Sequence, residues 1–191
     1  METISIRPAT PADAPCIARG IIMAVGEEIA LSLAGSPERR PLIDRLFTEL
    51  ALMDGSQYSY LNSHVAVAAD GTVAGIVVAY DGALLHELRR AFTAKAAEVL
   101  GLDIDPDKMH DETSPDEVYL DSLAVFPEFR GRGIARRLIA CAADKAGTIG
   151  KPLGLLCEPE NRPAAALYTS LGFTNRGQRP FAGVMMNHMQ L

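Results

Sequence analysis

One segment of this 191-residue chain, residues 118–138, joins a strand pattern to a helix pattern through a turn that contains two glycines. Val118–Val125 is apolar enough for a buried strand, and Ile134 opens an amphipathic helix. Between them lies the turn Arg130-Gly-Arg-Gly-Ile-Ala135. Such a turn directs backbone N–H groups, a helix N-terminus and two guanidinium groups toward one place. It predicts a strand–turn–helix unit that binds a phosphate or pyrophosphate.

Two other phosphate-binding motifs are excluded. The chain has no G-x-x-x-x-G-K-[ST] motif, and Gly131-Arg-Gly133 lacks the third glycine of the dinucleotide fingerprint because Arg136 stands there. A nucleotide-binding regulatory domain is therefore disfavoured. A glycine-rich turn also occurs merely to tighten a strand–helix connection. The turn alone leaves both interpretations open.

A second segment, residues 161–173, has matching chemistry. Asn161 suits a helix N-cap and Pro163 suits a first turn. Leu167, Tyr168 and other apolar residues then recur at helical spacing until Gly172 ends the helix. The tyrosine could be a core residue only.

Together the two segments resemble the GNAT superfamily of acyl-CoA-dependent N-acetyltransferases. Residues 130–135 match its R-x-x-G-x-A signature, and residues 161–173 match its N-x-x-A-x-x-x-Y-x-x-L-G-F element. The resemblance covers most of the chain but is sharp only in these two segments. It implies an α/β (α+β) fold with a mixed, mostly antiparallel sheet of about seven strands flanked by helices. It also implies a splay between the fourth and fifth strands, residues 118–125 and 153–157.

The patterns along the chain agree with this fold. Asp70-Gly71 between two apolar runs predicts a hairpin, and the element order is β-α-α-β-β-(α)-β-α-β-α-β-β. We expect a single domain over residues 1–191. Residues 81–116, with a helix near 83–100 and an acidic excursion after it, form a helical insertion that a minimal GNAT domain lacks.

Composition excludes several other classes of function. A net charge of −6 and a pI near 5.2 argue against nucleic acid as a partner. No apolar run approaches the ~20 residues of a membrane span, and the N-terminus lacks a signal-peptide pattern. The three cysteines and four histidines show no metal-ligand spacing. We therefore expect a cytoplasmic protein without a metal, and a homodimer is left open.

The resemblance implies acetyl-CoA as the co-substrate and assigns residues to it. Asn161 would contact the cofactor arm or serve only as a helix cap, and Tyr168 would donate a proton to the departing thiolate or only shape the cleft. A local bulge at residues 123–125 would free an N–H to polarise the acyl oxygen. The implied cofactor-binding residues are Leu123, Ala124, Val125, Arg130, Gly131, Arg132, Gly133, Ile134, Ala135, Asn161 and Tyr168.

The general base is the least determined assignment. Asp121 is a carboxylate in an apolar strand, where burial would raise its pKa toward a useful range. Alternatively, Asp121 would tie down a neighbouring loop by accepting backbone N–H bonds. Glu117, Glu112 and Glu28 are reserves, and a water chain could replace any of them.

An amine acceptor is cationic at neutral pH, so acidic walls would favour its approach. Glu28 and Asp81 are predicted at the mouth of the cleft as substrate-binding residues. The leading function is transfer of an acetyl group from acetyl-CoA to a primary amine of a small molecule or peptide, by direct attack in a ternary complex. The alternative is a non-catalytic acyl-CoA-binding sensor or scaffold.

Overall fold

The computed structural model describes residues 4–191, and its seven strands form one sheet. The strands are β1 (Ser5–Pro8), β2 (Ser63–Val67), β3 (Val73–Asp81), β4 (Val118–Val125), β5 (Leu153–Cys157), β6 (Thr174–Phe181) and β7 (Val184–Gln190). Their order across the sheet is β1-β2-β3-β4-β5-β7-β6. All neighbours are antiparallel except β4 and β5. The predicted mixed, mostly antiparallel sheet is confirmed.

Six α-helices flank the sheet within the same residues. They are α1 (Ala14–Val25), α2 (Glu27–Ala34), α3 (Arg40–Leu52), α4 (Leu85–Leu100), α5 (Ile134–Thr148) and α6 (Arg162–Ser170). The sequence predicted two helices between β1 and β2, whereas the structure has three. Gly26 adopts φ +89°, a conformation that no helix interior contains, and so separates α1 from α2. None of the helices in residues 4–191 has the length and apolar character of a membrane span.

The core lies on both faces of the sheet. Ile76 and Val78 of β3 face a cluster built mainly by α1 to α4, while Val77 and Ala79 face a cluster built around α5. This alternation is the period-2 pattern of a strand buried on both sides. Gly20 lets α1 lie close to the sheet, since a Cβ there would stand 2.1 Å from Ile76 Cγ1.

The parallel pair β4–β5 is joined along only part of its length. Val118, Tyr119 and Leu120 pair with Leu153, Gly154 and Leu155, and the pairing then stops. Beyond Leu120 the two strands diverge. The predicted splay between the fourth and fifth strands is therefore confirmed, and it opens the sheet toward the turn at 130–135.

A β-bulge lies at the point where the strands part. Val78 pairs with Ser122 and Ala79 pairs with Leu120, which leaves Asp121 as the extra residue of β4. From the sequence the bulge was expected at Leu123–Val125, but those residues pair regularly with residues 75–77. The expectation was wrong in position: the bulge is at Asp121. A bulge bends the strand and redirects side chains, here beside the splay.

Candidate active site

A cleft of about 490 Å³ occupies the space between the diverging strands. Leu123 and Val125 line one wall, and Leu156 and Cys157 line the other. Both walls belong to neighbouring strands that no longer share hydrogen bonds there, so their backbone groups are available to a ligand. An extended chain that bears amide groups fits such an opening in a sheet.

The glycine-rich turn closes one end of this cleft, where Arg130 and Ala135 line it. Gly131 and Gly133 have φ +76° and +73°, and Gly133 is the N-cap of α5. The first N–H groups of a helix have no partner inside it. They and the positive end of the helix dipole suit a pyrophosphate. Because only a backbone with positive φ turns these N–H groups outward, glycine is needed at both positions.

The side chains of the turn are held by backbone oxygens. Arg130 Nε donates to Val125 O at 3.2 Å, and Arg132 Nη2 donates to Glu128 O at 3.1 Å. Ile134 is buried in the core, so only its N–H could face a ligand. Ala124 is also buried and faces away from the cleft, leaving its backbone for such a role.

Helix α6 supplies the far wall. Asn161 caps it, since its Oδ1 accepts a hydrogen bond from the Ala164 N–H at 3.2 Å, and it also lines the cleft. Tyr168 lines the same cleft and packs on Phe173 with ring centroids 5.6 Å apart. Burial, with a smaller contribution from nearby Cys157, raises the pKa of Tyr168 to about 12. The phenol is therefore protonated over the whole physiological range.

Asp121 lies in the cleft at the bulge. Its carboxylate accepts a hydrogen bond from Ser122 Oγ at 2.8 Å and a long one from Gln57 Nε2 at 3.4 Å. Both donors are side chains. The alternative role for Asp121, in which it ties down a loop by accepting backbone N–H bonds, is therefore not seen. Burial and the negative charge of Glu112 raise the pKa of Asp121 to about 7, and the two hydrogen bonds offset this only in part. A carboxyl group with a pKa near neutrality can accept a proton and release it again.

A second cavity of about 320 Å³ adjoins the cleft. Val25, Ile29 and Phe181 line both spaces. Gln57 and Glu112 line only the second one. Since Gln57 also donates to Asp121, it connects the second cavity with the carboxylate of the cleft.

A buried ion pair holds the loop that carries Glu112. The Arg89 side chain is 1% exposed and donates to Glu112 Oε2 at 2.6 Å and to Asp111 Oδ1 at 3.2 Å. It also donates to the carbonyl oxygens of Met109 and His110. Arg89 therefore fixes residues 109–112 against α4, and with them one wall of the second cavity.

Three other predicted acidic residues lie elsewhere. Asp81 caps the short turn after β3 through Ala83 N and forms an ion pair with Lys151. It lines neither cavity, so its predicted place at the mouth of the cleft is wrong. Glu28 is exposed in the first turn of α2, next to the lining residue Ile29. Glu117, a reserve base, is fully buried beside His188 and Thr113 and also lines neither cavity.

Sequence reasoning missed Gln57 and Arg89. Arg89 had a signal, because it follows Leu85 by four residues on the apolar stripe of α4, where a charged side chain requires a buried partner. Gln57 had none: it lies in a loop whose position depends on long-range packing. Among residues 4–191, no group of three or more His, Cys, Asp or Glu could hold a metal ion.

Comparison with known proteins identifies the family. Residues 35–173 match the model of the acetyltransferase (GNAT) family. The crystal structure of an acetyltransferase aligns with a TM-score of 0.77 and 31% identity over 97% of both chains. An N-acetyltransferase from Staphylococcus aureus Mu50 aligns with a TM-score of 0.79 and 22% identity over 98% of this chain and all of the other.

Two further relatives complete the comparison. A Salmonella typhimurium protein solved with its cofactor acetyl-CoA aligns with a TM-score of 0.56 and 20% identity, over 99% of this chain and 93% of the other. An uncharacterised protein of Mycobacterium leprae is 41% identical over 68 residues, which are 36% of this chain and only 18% of that protein. The match to the family covers well over half of the sequence and includes both motif segments. The chain belongs to the GNAT acetyltransferase family.

Proposed function

We propose that this acetyltransferase transfers an acetyl group from acetyl-CoA to a primary amine of a small molecule or peptide, by direct attack in a ternary complex. One observation carries the proposal: Asp121, with a pKa of about 7, and Tyr168 line the same cleft as the phosphate-binding turn. A proton acceptor and a protonated phenol are thus within one space that fits an acyl-CoA arm.

Acetyl-CoA supplies the activated thioester. The N–H groups of residues 131–135 and the Arg130 guanidinium would bind its pyrophosphate. The backbone groups of Leu123, Ala124 and Val125 that face away from β3 would bind the pantetheine amides, as the family resemblance implies. The bulge at Asp121 is the place where β4 departs from its regular ladder, and a free N–H there would polarise the acyl oxygen.

Asp121 is the proposed general base. A primary ammonium has a reference pKa of about 10.4, so transfer of its proton to a carboxylate with an ordinary pKa costs about 9 kcal/mol. At a pKa of about 7, the same transfer costs about 5 kcal/mol. The buried surroundings of Asp121 therefore remove a large part of the cost of forming the free amine that attacks the thioester.

Tyr168 is the proposed partner of the leaving sulfur. A thiol has a reference pKa of about 8.5, so complete proton transfer from a phenol at about 12 is uphill by about 5 kcal/mol. Tyr168 would therefore act first as a hydrogen-bond donor that stabilises the developing thiolate. The ammonium proton held by Asp121 leaves through the open cleft.

Thiol release from acetyl-CoA, measured across a panel of primary amines with mass spectrometry of each product, tests the proposal. Amine-dependent release with a product heavier by one acetyl group supports it. Tight acetyl-CoA binding without turnover on any amine would instead favour the sensor.

The assignment of the pyrophosphate site has its own test. Gly133→Val should weaken acetyl-CoA binding on the order of 10²-fold or more, because valine resists φ +73° and blocks close approach to the backbone. Gly150→Val is the matched control, since Gly150 also has positive φ but lies beyond the far end of α5. Calorimetry on both folded variants decides; equal affinities would refute the site.

A further inference from the structure

The second cavity is positioned to hold the acceptor of the reaction. It shares Val25, Ile29 and Phe181 with the cleft, so a molecule inside it can extend one end to the thioester. It lies on the side of Asp121 from which Gln57 donates its hydrogen bond. The proposed base therefore lies between the cleft and the second cavity.

The body of this cavity is apolar and aromatic. Phe47, Tyr58 and Phe92 pack edge to face, with ring centroids 5.1 Å apart for the first pair and 6.0 Å for the second. Leu33 and Met109 extend the apolar wall. Such a surface stabilises a ring or an aliphatic chain through the hydrophobic effect and edge-to-face contacts.

The end of the cavity nearest Asp121 is polar, with the Tyr58 hydroxyl close to Gln57, Asp121 and Glu112. Its acceptors still outnumber its donors. Gln57 is only 4% exposed, and its Oε1 has no hydrogen-bond partner among residues 4–191. Glu112, also 4% exposed, presents its carboxylate to the same cavity. A buried acceptor without a donor is costly. A primary ammonium carries three N–H donors and a positive charge, which Gln57, Glu112 and Asp121 together can satisfy.

The outer part of the cavity has no lining carboxylate for a second cation. Its exposed polar lining residues are His110 and Lys108, and Lys108 already pairs with Asp105 at 3.1 Å. The second charge of a polyamine, or the hydroxyls of an aminosugar, would lie against aromatic rings without partners.

We propose that the second cavity is the acceptor site and that it selects small primary amines with one apolar body, such as arylalkyl or alkyl amines. This inference rests on the proposed amine acetylation. The ammonium lies against Gln57, Glu112 and Asp121, and the apolar body fills the space between Leu33 and Phe92. Attack forms the C–N bond of the amide and breaks the C–S bond of the thioester. One ammonium proton passes to Asp121 before attack, and a second proton from the nitrogen reaches the sulfur, so that CoA leaves as the thiol.

Steady-state kinetics with matched amines tests the selection. We expect 2-phenylethylamine and n-hexylamine to exceed spermidine and glucosamine in kcat/KM on the order of 10²-fold, the gain from burying a phenyl or hexyl group. Higher kcat/KM for spermidine or glucosamine would overturn the inference and leave amine acetylation standing.

A longer acyl chain could also fill the cavity. The inference is overturned, and the cavity binds the acyl chain, if two results occur together. One is a higher kcat/KM for hexanoyl-CoA than for acetyl-CoA; the other is a kcat/KM for 2-phenylethylamine no higher than for small amines without an apolar body.

Two variants separate binding from structure. Leu33→Gln should raise KM for 2-phenylethylamine about 10-fold and leave KM for acetyl-CoA unchanged, because it places an amide against the apolar body. Leu52→Gln is the matched control; Leu52 is 48% exposed at the end of α3 and lines neither cavity. Equal KM values in the two variants would contradict the assignment.

Calorimetry of amine binding in the presence of CoA separates this inference from the proposed function. Saturable binding of 2-phenylethylamine, at least 10-fold tighter than 2-phenylethanol and weakened by Gln57→Leu, supports the ammonium site. If that binding occurs and no amine is acetylated, the acceptor cavity stands and the catalytic proposal fails. Absence of binding, or equal binding of the alcohol, refutes the cavity assignment.

Discussion

Two carboxyl groups four residues apart, Glu117 just before β4 and Asp121 in its middle, have pKa values shifted in opposite directions. Glu117, just before β4, lies 2.9 Å from His188 Nε2 and accepts a hydrogen bond from Thr113 at 2.8 Å. Burial alone would raise its pKa, but these hydrogen bonds outweigh burial and hold the pKa below its usual value. Asp121 has fewer donors, and burial together with the charge of Glu112 raises its pKa to about 7. Burial acts on both carboxyl groups, and the hydrogen-bond partners outweigh it only at Glu117.

Strand pairing accounts for the difference in partners. Where β4 and β5 pair, packing is so close that a Cβ at Gly154 would stand 2.1 Å from Glu117 Oε2. Four residues along, the strands part and Asp121 borders a cleft of about 490 Å³. One end of the β4–β5 pair therefore encloses a hydrogen-bonded carboxyl group, while the other exposes a carboxyl group to a ligand.

The substitution Asp121→Asn tests most directly whether Asp121, unlike Glu117, exchanges a proton during the reaction. If Asp121 is the base, kcat should fall 10²- to 10⁴-fold, the usual contribution of acid–base catalysis. In the unmodified enzyme kcat should rise with pH to a plateau with a midpoint near the pKa of about 7, since the base must be ionised. Asp116→Asn, an exposed change nearby, is the control. Unchanged kcat in Asp121→Asn would move the base elsewhere.

Tyr168→Phe tests the opposite wall of the cleft. Loss of the phenol should lower kcat by about 10²-fold while acetyl-CoA affinity stays nearly constant, because the hydrogen bond to sulfur forms mainly as the thiolate develops. Calorimetry and single-turnover kinetics measure the two quantities separately. Weaker binding with normal kcat would make Tyr168 a packing residue.

Glu117→Gln tests the paired end. Removing this charge should lower the free energy of unfolding by about 2 kcal/mol at pH 7, the usual range for a hydrogen bond to a charged group. Because the pKa of Glu117 is lowered on folding, its contribution exists above the unfolded-state pKa and disappears as pH falls through the folded-state pKa. Urea unfolding at neutral and acidic pH measures both. A fall in kcat without a loss of stability would mean that Glu117 has a chemical role.

The smallest expected effect is on stability at the splayed end. The pKa of Asp121 is raised on folding, so between the unfolded-state value near 4 and about 7 the folded state binds more protons and stability declines as pH rises. Asp121→Asn removes this cost. Its melting temperature relative to the unmodified protein should be higher at pH 8 than at pH 5 by a few degrees. An equal difference at both pH values would show that Asp121 is not buried as a neutral acid.

The sequence predicted the elements that depend on local pattern. The turn at 130–135 and the N-cap at Asn161 follow from residues close together in the chain, whereas the splay between β4 and β5 was implied by the family resemblance. Asp121 was found because strand alternation placed it among apolar residues. Gly26 was not recognised as a helix break, since a single glycine costs a helix only ~1 kcal/mol and many helices contain one.

The second cavity could not be predicted from the sequence for a different reason. Its walls come from six separated segments, from Val25 near the start to Gly183 near the end. Only long-range packing brings these segments together, and no spacing of residues in the sequence predicts it. The same dependence on distant contacts led to the wrong placement of Asp81. Its carboxylate pairs with Lys151, which lies just before β5. Glu28 and the single-domain assignment stay predictions.

The attachment of residues 109–112 to α4 has a consequence for how the enzyme can change over evolution. The buried Arg89 holds that segment through two backbone oxygens and two carboxylates. The side chains of Ile104 and Met109 line the cavity and take no part in these contacts. Single substitutions at those two positions reshape the cavity while the segment stays anchored. If this cavity holds the acceptor, point mutations that spare Arg89 can therefore change the substrate range, so that close relatives can share the acetyltransferase fold and differ in the acceptor they bind.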